Sequence, residues 1–180
     1  MLTLILGGAR SGKSRFAQSF CSTSSRVTYV ATARVEDEEM RARVGRHRRD
    51  RPSDWITVEE PLAIGRAVQH SLRGCDFVLL DCLTLWLSNL AWELRERTPE
   101  ILERDAREEL NQLVSASKVA QLLVVTNEVG CGIVPESPVG RHFRDLQGWA
   151  NQYLASEADV VYQMVAGIPV LIKTPMKGGI

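Results

Sequence analysis

Gly7-Gly8-Ala9-Arg10-Ser11-Gly12-Lys13-Ser14 is the stretch of the chain whose residue types and spacing most clearly spell chemistry, because it follows the pattern G-x-x-x-x-G-K-[ST]. Glycines in such a stretch let the backbone turn so that successive N–H groups face phosphate oxygens, and a helix starting at its end adds the positive pole of its dipole. Lys13 would then reach the β and γ phosphates of a nucleoside triphosphate, and the Ser14 hydroxyl would ligate Mg²⁺. A loop of this kind also needs an acidic group for the metal. Phe77-Val78-Leu79-Leu80-Asp81 supplies one: four apolar residues that read as a buried parallel strand, ending in a carboxylate where ligands bind in open α/β sheets. The plainer reading of Asp81 is a cap for the helix that follows, and the two roles are compatible.

A second chemical candidate lies between residues 41 and 51. This segment holds six arginines, His47 and a single acid, Asp50. On a helix Arg43 and His47 share a face, and Pro52 stops the helix. A neutral imidazole is a nucleophile, and arginines beside it can neutralise a phosphate that it attacks, so the combination suits covalent phosphoryl or nucleotidyl transfer. Two plainer readings stand beside this one. The histidine can be a solvated side chain on a basic helix, or the arginines can form a nucleic-acid patch, although no aromatic residue is interleaved between Arg41 and Arg51 to stack on bases.

The elements that must position these residues follow from periodicity. Short apolar runs at 2–6, 27–31, 77–80 and 122–126 alternate with stretches of helical period, expected at about 13–23, 36–47, 61–72, 83–94, 99–117 and 138–157. That alternation is the pattern of a mostly parallel sheet covered by helices on both faces. Residues 160–165 and 170–173 flank a turn at 166–169 and predict an antiparallel hairpin closing one end. The expected fold is one α/β domain over residues 1–180, a P-loop NTPase of the RecA-like kind.

Composition narrows the partners. Of 180 residues, 44% are hydrophobic and 24% charged, which is the balance of a globular chain, and 22 Lys plus Arg offset 22 Asp plus Glu. A neutral domain has no global field to draw it onto a polyanion or an anionic membrane, so only a local patch can bind one. No apolar run approaches the roughly 20 residues of a membrane span, and the first residues lack the basic start and cleavage site of a signal peptide. A cytoplasmic location is therefore expected. Cysteines 21, 75, 82 and 131 are far apart and read as reduced thiols.

Taken in order, several blocks carry a resemblance: Gly7 to Arg15, Ala31-Thr32-Ala33, Glu39-Met40 leading to His47, Arg51-Pro52 with Trp55 and Thr57-Val58-Glu59, Leu80 to Thr84, Thr126 to Gly130 with Gly132 to Pro135, Arg141 to Asp145, and Asn151-Gln152. The chain resembles the bifunctional adenosylcobinamide kinases and adenosylcobinamide-phosphate guanylyltransferases of cobalamin biosynthesis. The resemblance implies two reactions. In the first, the γ phosphate of ATP or GTP passes to the hydroxyl on the aminopropanol arm of adenosylcobinamide. In the second, a histidine attacks the α phosphorus of GTP, releases pyrophosphate, and passes GMP on to give adenosylcobinamide-GDP. The residue matching that histidine is His47. By the same match Gly7, Gly8, Ala9, Arg10, Ser11, Gly12, Lys13, Ser14, Ala31, Thr32, Ala33, Arg48, Arg49, Asp50, Arg51, Glu59 and Asp81 fall where the family binds nucleotide, with Ser14 and Asp81 for Mg²⁺. Members resembling this chain assemble as trimers, so a homotrimer is expected, with no nucleic-acid partner and no membrane span. A Trp-bearing helix from Leu83 to Leu94 could serve that interface.

Other residues have weaker claims. Asn127 or Glu128 could position the acceptor hydroxyl, or could simply make a turn. Arg141 and Arg144 could clamp a phosphate or pair with Asp145 or Glu157. Trp55, Trp86, Trp92 and Trp149 could line a corrinoid surface or fill core and subunit contacts. A simple P-loop small-molecule kinase with a passive His47, and a nucleotide-switched binding module using the arginine patch, are the competing functions.

Overall fold

Residues 1–21, 25–35, 37–49 and 51–175 are described by a computed structural model. Among the described residues, apolar runs of four to six residues form seven strands, and amphipathic stretches form six helices. The order is β1 (Leu2–Gly7), α1 (Lys13–Ser19), β2 (Val27–Ala31), α2 (Glu38–Arg49), β3 (Ile56–Glu59), α3 (Ile64–Ser71), β4 (Phe77–Asp81), α4 (Leu83–Glu93), α5 (Pro99–Ser117), β5 (Gln121–Val125), α6 (Pro138–Glu157), β6 (Val160–Val165) and β7 (Ile168–Lys173). The sheet order is β3-β2-β4-β5-β1-β6-β7. Every neighbouring pair is parallel except β6 and β7. The expected α/β architecture with its closing hairpin is therefore present, and β5 lies between the glycine-loop strand and the Asp81 strand.

Side chains alternate across the strands and divide the core in two. Leu2, Leu4, Val78, Leu80, Leu122 and Val124 face the larger cluster, which α3, α4, α5 and α6 cover. Ile5, Tyr29, Leu79, Leu123 and Val125 face the smaller one, covered by α1 and by the segment around Trp55. No described residue of α2 belongs to either cluster.

Several boundaries differ from the periodicity, each for a local reason. The first helix stops at Ser19 rather than 23, with Phe20 as its C-cap donating to Ala17 and Gln18 carbonyls. The second starts at Glu38 because Asp37 Oδ1 accepts from Met40 N at 2.7 Å, an N-cap that outcompetes an earlier start. The third starts at Ile64, since Glu60 Oε1 takes the Leu62 and Ala63 N–H groups into a turn at 2.8 and 2.9 Å. At the hairpin the turn shrinks to Ala166-Gly167, both at positive φ (50° and 86°), the geometry that matches strand twist. Pro169 thereby falls inside β7, which it tolerates because β7 is an edge strand. Among the described residues no helix is long and apolar enough to cross a membrane.

Candidate functional site

The glycine loop leaves β1 at Gly7 with φ +152°, where an added Cβ would sit 2.7 Å from the Met164 carbonyl oxygen and 2.8 Å from Ser11 Oγ. No side chain fits there, so glycine is required by both conformation and space. Gly12, at φ +92°, is the N-cap of α1, and Arg10 holds a left-handed φ of 57° without being glycine. Three backbone contacts fix the loop. Glu128 N donates to Gly7 O at 3.1 Å, Ser11 N to Gly8 O at 3.3 Å, and Gly167 N to Ser11 O at 3.1 Å. The end of β5 and the β6–β7 turn thus hold the loop from two sides. Lys13 is buried, and its Nζ donates to the Gly7 and Gly8 carbonyls at 2.9 and 2.6 Å. The ammonium is therefore positioned at the loop by its own backbone. Ser14 stands in the first turn of α1, half-buried.

Four strand ends meet in one register row. Ala31 pairs with Glu59 on one side and with Asp81 on the other, and Asp81 pairs with Val125. The sheet thereby aligns Glu59, Ala31 and Asp81 at about 4.8 Å per strand along its carboxyl edge. Tyr29, two residues before Ala31 on the same strand, donates its hydroxyl to Asp81 Oδ2 at 2.6 Å. Burial, and then the Asp81 charge, push the Tyr29 hydroxyl pKa far upward, so it remains a donor. Asp81 Oδ1 accepts no hydrogen bond from the described residues. One free carboxylate oxygen and the Ser14 hydroxyl are hard oxygen donors of the kind Mg²⁺ takes beside nucleotide phosphates, so the residues present fit that ion. Burial, and then Asp81, also push the neighbouring Cys82 thiol up to about 12, which keeps it protonated and out of the chemistry.

Thr32 has a different place from the one its motif suggested. It is fully buried, and each of its polar groups is used internally. Its N donates to Asp81 O at 3.3 Å and its carbonyl accepts from Asn89 Nδ2 at 2.8 Å. Its Oγ1 donates to Cys82 O at 2.7 Å and accepts from Cys82 N at 2.9 Å. Thr32 therefore clamps the Asp81–Cys82 junction, leaving Ala31 and Ala33 as the half-buried members of that block.

A buried polar network sets the end of β5. Thr126 Oγ1 donates to Asn151 Oδ1 at 2.8 Å, and Gln147 Nε2 donates to Asn151 Oδ1 at 2.9 Å and to Thr126 Oγ1 at 3.1 Å. Asn127 N donates to Thr84 Oγ1, while Asn127 O accepts from Asn151 Nδ2. Glu128 Oε1 accepts from Gly130 N, a turn role. The other weak candidates fall mainly to structural roles. Arg141 binds the Pro135 and Glu136 carbonyls, and Arg144 pairs with Asp145 at 3.3 Å. Trp86 is buried with its Nε1 on Leu62 O, Trp149 stacks on Tyr153, and Trp55 packs against the smaller cluster. Only Trp92 of the four is exposed, at 62%.

His47 is half-buried on α2, close to the helix end, between the exposed Arg46 and Arg48, with Arg49 also exposed. It makes no hydrogen bond among the described residues. Asp50 lies outside those residues. Beyond it, the Arg51 guanidinium sits 3.3 Å above the centre of the Tyr29 ring, with a long contact of 3.5 Å to Thr57 Oγ1 and its Nε buried without a hydrogen-bond partner among the described residues. The histidine segment is thus moored on the residue that holds Asp81. Sequence reading missed Tyr29; its placement in the same strand parity as Ala31, opposite the Asp81 strand, was the available signal.

Comparisons with known proteins agree over nearly the whole chain. The family described as cobinamide kinase / cobinamide phosphate guanyltransferase matches residues 3–172. Two proteins named bifunctional adenosylcobalamin biosynthesis protein CobU, from Escherichia coli strain K12 and Salmonella typhimurium, are each 41% identical over 181 residues, covering 96% of this chain and 100% of their own. A bifunctional adenosylcobalamin biosynthesis protein CobP from Pseudomonas aeruginosa is 40% identical over 179 residues, covering 99% of this chain and 98% of its own.

Proposed function

The chain belongs to the cobinamide kinase / cobinamide phosphate guanyltransferase family, and from that membership we propose how its residues divide the two reactions. It is an adenosylcobinamide kinase and adenosylcobinamide-phosphate guanylyltransferase of cobalamin biosynthesis, and ATP and GTP are its nucleotides. The sheet edge serves the kinase. The loop from Gly7 to Ser14 wraps the triphosphate with its N–H groups, and Lys13 moves from its own carbonyls onto the β and γ phosphates. The acceptor hydroxyl attacks the γ phosphorus, the bond to the β–γ bridging oxygen breaks, the nucleoside diphosphate leaves, and the hydroxyl proton is lost to solvent. A Mg²⁺ held by Ser14 Oγ and Asp81 Oδ1 would neutralise charge on the phosphoryl oxygens.

The α2 segment serves the second reaction. A ring nitrogen of His47 attacks the α phosphorus of GTP, the bond to the bridging oxygen breaks, pyrophosphate leaves, and the imidazole proton is lost to solvent. The phosphate oxygen of adenosylcobinamide phosphate then attacks the same phosphorus, the N–P bond breaks, and adenosylcobinamide-GDP is formed with the histidine restored. Arg48, Arg49 and Arg51 are cations for the phosphates, and Glu59, at the exposed end of β3, takes the guanine or ribose. The observation that carries this reading is the mooring of Arg51 on Tyr29 beside Asp81, which ties the His47 segment to the nucleotide edge.

Incubation with GTP labelled at the α phosphate tests it. An acid-labile, base-stable label should appear on the wild-type chain and be absent from His47→Ala. A wild-type chain that takes up no label would be a kinase without a covalent intermediate. Assembly as a cytoplasmic homotrimer completes the reading, supported by exposed apolar residues on β7, Ile168 and Ile172, and by Trp92. Sedimentation equilibrium at three times the 20.1 kDa chain mass would bear it out.

A further inference from the structure

Asp81 stands at a strand end, half-buried, with rotational freedom about two side-chain bonds and no backbone N–H on its carboxylate among the described residues. A carboxylate so placed needs something to aim it, since a metal ligand that wanders loses affinity to its own ordering entropy. The Tyr29 hydroxyl is hydrogen-bonded to its Oδ2.

That tyrosine is itself held on every side. It is 2% exposed and packed in the smaller cluster with Leu79 and Cys82. In register it lies opposite Leu79, two residues short of Asp81. Two residues advance a strand by about 6.6 Å, close to the reach of a phenol from its Cα, so a tyrosine at this position and on this face meets the Asp81 oxygen directly. The outer face of its ring carries the Arg51 guanidinium at 3.3 Å, a cation–π contact that prevents the ring from swinging away.

We propose that Tyr29 is a positioning residue for the metal-binding carboxylate: by occupying Asp81 Oδ2 it turns Oδ1 toward the nucleotide phosphates. The proposal rests on the reading of Asp81 as the Mg²⁺ carboxylate, and its test separates the two. Tyr29→Phe removes only the hydroxyl and keeps the ring under Arg51. The measurement is the binding of Mn²⁺ to the full chain saturated with a non-hydrolysable GTP analogue, followed by the electron paramagnetic resonance of free Mn²⁺. Analogue affinity without metal and the thermal unfolding midpoint are measured on the same samples.

Asp81→Asn should weaken Mn²⁺ binding by about 100-fold and Tyr29→Phe by about 10-fold, the range seen when a metal ligand's orienting partner is removed. The metal-free analogue affinity of Tyr29→Phe should stay within about twofold of wild type, and raising Mg²⁺ to saturation should restore its phosphorylation rate. If Asp81→Asn weakens Mn²⁺ binding while Tyr29→Phe matches wild type, the positioning role is wrong and the Asp81 reading stands. If Asp81→Asn leaves Mn²⁺ binding unchanged, both are wrong. If Tyr29→Phe loses metal-free affinity in equal measure, or saturating Mg²⁺ does not restore its rate, the residue acts through the fold and the proposal is overturned.

Discussion

Thr32 and His47 lie fifteen residues apart and have opposite surroundings. Every polar group of Thr32 is hydrogen-bonded within the sheet edge, at Asp81, Cys82 and Asn89. Among the described residues, His47 makes no hydrogen bond and no side chain of its helix belongs to either hydrophobic cluster. The contrast fits the proposed division of the two reactions. Phosphoryl transfer from a bound triphosphate is done by fixed dipoles and cations, whose value lies in not having to reorganise. A histidine that accepts GMP from one reactant and gives it to another must serve two partners at one atom. A helix outside the core can shift toward either without disturbing the sheet.

Four substitutions test the contrast, the most damaging first. Lys13→Ala removes the edge's own cation and should lower the kcat of phosphorylation about 10²–10³-fold, read with γ-labelled ATP. Gly7→Ala should destabilise the chain by about 3 kcal/mol, from backbone strain and the contact with Met164 O, read from the urea midpoint. Thr32→Val strands the Cys82 N–H and carbonyl and should cost about 2 kcal/mol in the same measurement. Gly45→Ala, in α2, meets only the end of the Arg49 side chain at 3.6 Å. Its global stability should stay within about 0.5 kcal/mol of wild type. The gain of about 1 kcal/mol in helix propensity should appear instead as roughly fivefold slower hydrogen exchange of α2 amides. If Gly45→Ala shifts the urea midpoint as far as Thr32→Val, α2 is part of the cooperative core and the contrast fails.

Much of the sheet edge was legible in the sequence because its signals are local. The glycine loop is contiguous, and Asp81 ends an apolar run that could be little but a buried strand. Helices α5 and α6 were readable to the residue, since Pro99 and Pro138 sit at their first positions and Ser137 caps the latter. Residues acting across strands were harder. Thr32 belongs to the block Ala31-Thr32-Ala33, and nothing in those three residues tells that its hydroxyl is spent on Cys82, fifty positions away. Tyr29 looked like one more strand aromatic until the β2–β4 register set it two residues before Asp81. Glu60 and Asp37 moved two helix starts because side-chain capping competes with periodicity over the first turn.

The separation of the two chemistries is tested most directly by one variant assayed twice. His47→Asn keeps the size and polarity of the side chain and removes the proposed nucleophile. In one preparation, phosphorylation of adenosylcobinamide by γ-labelled ATP and covalent uptake of label from α-labelled GTP are measured together. Phosphorylation should stay within roughly twofold of wild type, with no acid-labile label on the protein. Retention of that label, or loss of phosphorylation in step with it, would mean that the two chemistries are not divided between the sheet edge and His47.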